Sequence, residues 1–122
     1  MNREDPVSSK TASSLYGNLD LLILQTLQVE GPAHGLGVMD AIQARSVGGI
    51  AVEAGALYRA LHRLEARGLL TGEWRTSDKN RRAKFYTLTR AGVTALDRER
   101  EAWTRHTKAV CRVLGMDWGM AP

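Results

Sequence analysis

Cysteine is almost missing from this chain. Cys111 stands alone among 122 residues, which excludes an internal disulfide framework and a cysteine-based zinc cluster. A reducing, cytoplasmic compartment is the simplest setting for such a chain. Long apolar runs are missing too. The longest is four residues, Leu21 to Leu24, against the roughly 20 that a membrane-spanning helix needs, so no membrane is expected as a partner. The opening MNREDPVSSKTASS holds charges but no apolar stretch of the kind a secretory signal requires. Aromatic residues are scarce, with one Phe, three Tyr and three Trp, so the core must be mostly Leu, Val, Ile and Ala. Catalytic signatures are equally lacking. His34, His62 and His106 show no metal-ligand spacing. Gly35 and Gly37 are flanked by helical sequence rather than by the strand and helix of a phosphate-binding loop. No enzyme, metal or cofactor is expected.

What is present is an ordinary balance for one soluble domain, 43% hydrophobic and 25% charged. The net charge of +4 is unevenly spread. Residues 1–53 hold three Lys/Arg against six Asp/Glu, whereas residues 54–90 hold nine against three. Acidic residues almost vanish around residues 75–84, where Asp78 is the only one. A basic concentration of this kind calls for a polyanion, or else is merely a solvated surface. Its arrangement along the chain must decide.

Residues 1–14 read as a mobile polar arm. Order is expected near Tyr16, with Asn18 as N-cap of a helix whose Leu19, Leu22, Ile23 and Leu27 recur at helical spacing. Leu15, Leu21 and Leu24 make this helix apolar nearly all round, so it should be buried on more than one side. Gly31-Pro32 stops it. A second helix spans roughly Gly35 to Arg45, with Val38 and Ile42 inward. Ile50-Ala51-Val52 reads as a short extended piece. A third helix covers about 54–67. Its Leu57, Leu61 and Leu64 fall within about 60° of one another, and the opposite face carries Tyr58, Arg59, His62, Arg63 and Ala66. Leu69 to Arg75 and Ala83 to Leu88 flank a turn-forming stretch and read as a hairpin. Thr89 caps a last helix, about Arg90 to Leu114, closed by Gly115.

Three helices, a hairpin and a long helix give a mainly α (α+β) fold: a winged helix-turn-helix domain over 15–88, a C-terminal dimerisation helix over 89–115 and a tail over 116–122. In the helix-turn-helix class the last of the three helices enters the DNA major groove, and the hairpin, or wing, lies against the neighbouring backbone. The basic segment coincides with that helix and hairpin. Tyr58, Arg59, His62 and Arg63 are therefore expected on base edges or phosphates, and Lys79, Arg81, Arg82 and Lys84 on phosphates or a narrow minor groove. Taken singly, each has a plainer reading: Tyr58 packing against the wing, His62 as a solvated histidine, Lys84 alternating outward on a strand.

The stretches GNLDLLILQTL, HGLGVMDAIQ, GALYRALHRLEARGLL and NRRAKFYTLTRAG, in that order, resemble the PadR family of bacterial transcriptional regulators. The likeness runs from about Gly17 to Gly115 and looks like the compact subtype with a single C-terminal helix. It implies operator binding by the third helix and wing, dimerisation through the terminal helices, and repression as the usual output. Three positions depart from the family's usual pattern. Ala56 stands where Ser or Thr is common, Arg59 where Pro is common, and Leu36 where Tyr is common. Each bears on which operator is read.

The 25 residues of the last helix carry a seam of Val93, Leu96, Trp103, Val110 and Leu114, interrupted by Arg100 and Thr107. An apolar stripe of that length marks an interface, which Leu22 of the first helix is expected to share in a homodimer. The family resemblance implies a small aromatic effector, for which Trp103 is the candidate; plain interface packing is the rival role for that residue. The alternatives to a DNA regulator are an RNA- or protein-binding module of the same fold, and a thiol sensor in which Lys108 and Arg112 lower the pKa of Cys111.

Overall fold

The computed structural model describes residues 6–76 and 78–117, with side chains from Asn18 onward. Helix α1 spans Pro6–Glu30, strand β1 Ala33–His34, α2 Gly35–Arg45, α3 Ala54–Ala66, β2 Leu70–Thr76, β3 Arg82–Leu88 and α4 Arg90–Leu114. The three strands form one antiparallel sheet in the order β1-β3-β2.

Local chemistry explains most of the boundaries. Gly31 takes φ +79° and its N–H donates to the Leu27 carbonyl, ending α1. His34 caps α2, its Nδ1 accepting from the Gly37 N–H at 3.1 Å, which gives this histidine a structural role. Thr89 caps α4 by accepting from the Gly92 N–H at 2.9 Å, and its own hydroxyl donates to the Gly68 carbonyl at 2.8 Å. Gly115, at φ 71°, closes α4.

Two features differ from the sequence expectation. The helix expected from Asn18 begins at Pro6, so the stretch 6–14 read as an arm has helical backbone. Proline suits the first turn of a helix, and no Gly or Pro interrupts residues 7–16. Gly17, at a cost of about 1 kcal/mol, is tolerated within the helix. The sheet has a third strand that the sequence reading did not contain, Ala33–His34, paired with Tyr86 and Phe85, whereas Ile50-Ala51-Val52 joins no strand. Residues 1–5 and Trp118 lie outside the described residues.

The core sits where α1, α2, α3 and the base of the sheet meet. Ile23, Leu24 and Leu27 of α1, Val38 and Ile42 of α2, Leu57, Leu61 and Leu64 of α3, Leu70 and Tyr86 of the sheet, and Leu96 of α4 are all buried. The leucine stripe of α3 thus faces inward, as its spacing requires, and leaves the opposite face to solvent. Leu96, 3% exposed, is spent on this core. Its expected place in the dimer seam is therefore corrected: its apolar surface is already covered within one protomer. The remaining seam residues, Val93, Trp103, Val110 and Leu114, stay exposed, as does Val113, while Leu22 is half-buried.

Candidate nucleic-acid interface

Alternation along the hairpin places Leu70, Gly72, Trp74 and Thr76 of β2 on one face, opposite Leu88, Tyr86, Lys84 and Arg82 of β3. Near the base this face joins the core through Leu70 and Tyr86. Toward the tip it opens into a cleft of about 810 Å³. Tyr58 and His62 of α3, with Gly35 and Leu36 at the start of α2, form one wall; Trp74, Arg82, Lys84 and the turn residues Lys79 and Arg81 form the other. Gly35 is needed here, because a β-carbon would lie 2.6 Å from the Tyr58 ring. Tyr58 thus lies against the start of α2.

Of the eight expected contact residues, six line this cleft: Tyr58, His62, Lys79, Arg81, Arg82 and Lys84. Arg59 and Arg63 lie outside it. Arg59, with a 74% exposed side chain, is 3.9 Å from the Glu53 carboxylate. An ion pair this open is screened by solvent and yields easily to a phosphate. Arg63 instead reaches back to α1, Nη2 to Oδ1 of Asp20 at 2.6 Å. Its side chain is still 47% exposed. Lys84 is turned inward as well, its Nζ donating to Oε1 of Glu65 at 2.8 Å. That bond raises the Lys84 pKa.

Four side chains that shape this surface escaped the sequence reading. Trp74 is 58% exposed with Arg82 stacked over its ring at 5.4 Å, and its alternation in register with Lys84 is a signal a strand reading could have used. Glu53 caps α3, accepting from the Ala56 and Gly55 N–H groups at 2.9 and 3.1 Å. These bonds, ahead of the nearby Arg59, hold its pKa below the usual 4.5. The acid just before the helix was the available sign. Asp20 and Glu65 carried no such sign, because their partners are remote in sequence.

A second groove, about 380 Å³, lies between α1 and α4. Leu21, Leu22, Ile50 and Trp103 line it, and Arg100 donates to Gln25 at 2.8 Å along its wall. Arg100, at a seam position of α4, is thus engaged with α1. Cys111 is half-buried. Among the described residues no cluster of His, Cys, Asp or Glu could hold a metal, and no helix is long and apolar enough to cross a membrane.

Residues 23–98, covering the core helices, the wing and the start of α4, match the transcriptional regulator PadR-like family. The chain belongs to the PadR family. A regulator of Mycobacterium tuberculosis is 48% identical over 54 residues, 44% of this chain and 50% of that one, so the match spans about half of that relative's length. The structure of a PadR-like transcription factor of Bacteroides fragilis superposes with a TM-score of 0.68 at 27% identity, covering 89% of this chain and 99% of that one. A PadR family regulator of Eggerthella lenta gives 0.67 at 27%, covering 91% and 95%. A regulator of Clostridium thermocellum, at 0.72 and 23% identity over 82% and 93%, shares the fold. The winged helix-turn-helix fold with a long C-terminal helix is therefore established for this PadR protein. Its class is that of DNA-binding transcriptional regulators, not enzymes.

Proposed function

We propose that this PadR protein is a homodimeric, cytoplasmic repressor that grips an operator duplex between α3 and the wing. The observation that carries the reading is the cleft itself. Its walls bring His62 and Tyr58 of the major-groove helix together with Trp74, Lys79, Arg81 and Arg82 of the wing, within the one segment of the chain where basic residues outnumber acidic ones nine to three. His62, Tyr58 and the loosely held Arg59 are suited to base edges. Arg81, Arg82 and Lys79 are suited to phosphates or a narrow minor groove.

The exposed stripe of Val93, Trp103, Val110, Val113 and Leu114 supports a second copy packed along α4. A twofold dimer presents two α3 helices to a pseudo-palindromic site. The groove between α1 and α4 supports an aromatic effector beside Trp103. A flat Trp103 fluorescence signal across a panel of aromatic ligands would sink that part of the proposal.

Duplex binding measured across a salt series tests the DNA contacts. Arg82→Ala should weaken binding to all duplexes alike and reduce the salt slope by about 1, whereas His62→Ala and Arg59→Ala should cost about 1–3 kcal/mol on the preferred duplex and flatten base preference. Equal loss from all three on every sequence contradicts this division of roles.

A further inference from the structure

Among the described residues of α3 and the wing, Lys84 is the basic residue that is half-buried while the others are exposed. Its side chain is 26% exposed, against 74% for Arg59, 47% for Arg63 and 45% for Arg75 in the other ion pairs. It starts on β3, directly opposite Trp74. From there it crosses the face of β2 at Gly72 and ends on Glu65 of α3, Nζ to Oε1 at 2.8 Å. The Nζ also lies 5.5 Å over the Tyr86 ring. Gly72 makes this path available. A β-carbon there would overlap Lys84 Cε and sit 3.1 Å from Glu65 Oε2. One side chain thus joins both strands of the wing to the helix on the other side of the cleft.

We infer that Lys84, Glu65 and Gly72 form a strut that sets the spacing between α3 and the wing, so that Lys84 is a positioning residue for operator binding and not a phosphate contact. This deepens the proposed DNA reading and rests on it. A wing bonded to the recognition helix at a fixed distance can place Arg82 and Trp74 on the backbone while α3 is seated in the groove. A wing released from it must be ordered on binding, and that ordering costs affinity. Glu65 lies beside a surface meant for a polyanion. A carboxylate there lowers affinity by simple charge arithmetic, so its presence calls for a compensating use, which the bond to Lys84 supplies.

The sign of one substitution separates the two roles. If Lys84 were a phosphate contact, Glu65→Gln would free it and remove a negative charge, and duplex binding would tighten. A strut predicts the opposite, a loss of about tenfold. Gly72→Ala tests the same bond with every charge kept. The new methyl meets the flexible end of a lysine, not backbone, so the wing should fold while Lys84 is displaced, and affinity should again fall. Lys84→Met should lose affinity with an unchanged salt slope, and Lys84→Arg should restore much of it.

Binding of the full-length chain and these variants to a duplex selected by the wild type, across a salt series and with thermal unfolding in parallel, reads all of this. Tighter or equal binding by Glu65→Gln, or a salt slope reduced by about 1 in Lys84→Met, overturns the strut. So do affinity losses that track unfolding temperature alone. A wild-type chain that selects no duplex overturns the DNA reading itself, and the strut with it.

Discussion

Three carboxylates govern what the basic side chains around α3 are free to do. Glu53 holds Arg59 loosely, Asp20 holds Arg63 closely, and Glu65 holds Lys84 across the wing. Glu53 has a second task, since it caps α3 through two backbone N–H groups that depress its pKa. A carboxyl whose folded pKa is depressed adds stability above its unfolded pKa and loses it as pH falls through the folded value. Glu53→Gln should therefore lower the unfolding temperature at neutral pH. The difference from wild type should shrink as pH drops below 4.5 toward the lowered value. A pH series of thermal unfolding checks this, and a difference that stays constant however far the pH falls below 4.5 would contradict it. At this scale the sequence made the types of contact residue legible but not their partners. Asp20 and Arg63 are 43 residues apart and Glu65 and Lys84 are 19 apart. Charge counting placed the basic residues in one segment; the fold shows that Arg63 and Lys84 reach carboxylates on other elements.

Elements were legible where their ends are set by local chemistry. The spacing of Leu57, Leu61 and Leu64 oriented α3, and Thr89 with Gly115 bounded α4, because caps and stripes are written within a few residues. The start of α1 was not legible, since Gly17-Asn18 mimics a cap that the helix simply passes through. Strand β1 was hidden for a different reason. Two residues have no period, and Ala33–His34 becomes a strand only because β3 lies beside it. The same limit applies to α4, where a regular seam cannot tell intramolecular from intermolecular packing. Leu96 turned into the protomer core, while Trp103, Val110 and Leu114 did not. Substitution should separate the two halves of that helix. Leu96→Ala should destabilise the protomer by about 2–5 kcal/mol. Trp103→Glu should leave the protomer folded but shift sedimentation from dimer to monomer. A Trp103→Glu chain that still sediments as a dimer would rule out this face.

At the scale of the whole molecule, a modest net charge is unevenly divided, and in the proposed reading one side of the fold meets a polyanion and another a second copy. Residues 1–53, net acidic, supply much of the core and the inner wall of the α1–α4 groove. The basic segment supplies α3 and the wing. Helix α1 touches both, since Asp20 binds Arg63 of α3 and Gln25 accepts from Arg100 of α4. Selection of bound duplexes from a random pool by the full-length chain tests the central claim most directly. The account predicts enrichment of a pseudo-palindrome with half-site centres about 34 Å apart, one turn of duplex. A pool that stays random through repeated rounds, or converges on a single undivided site, would contradict it.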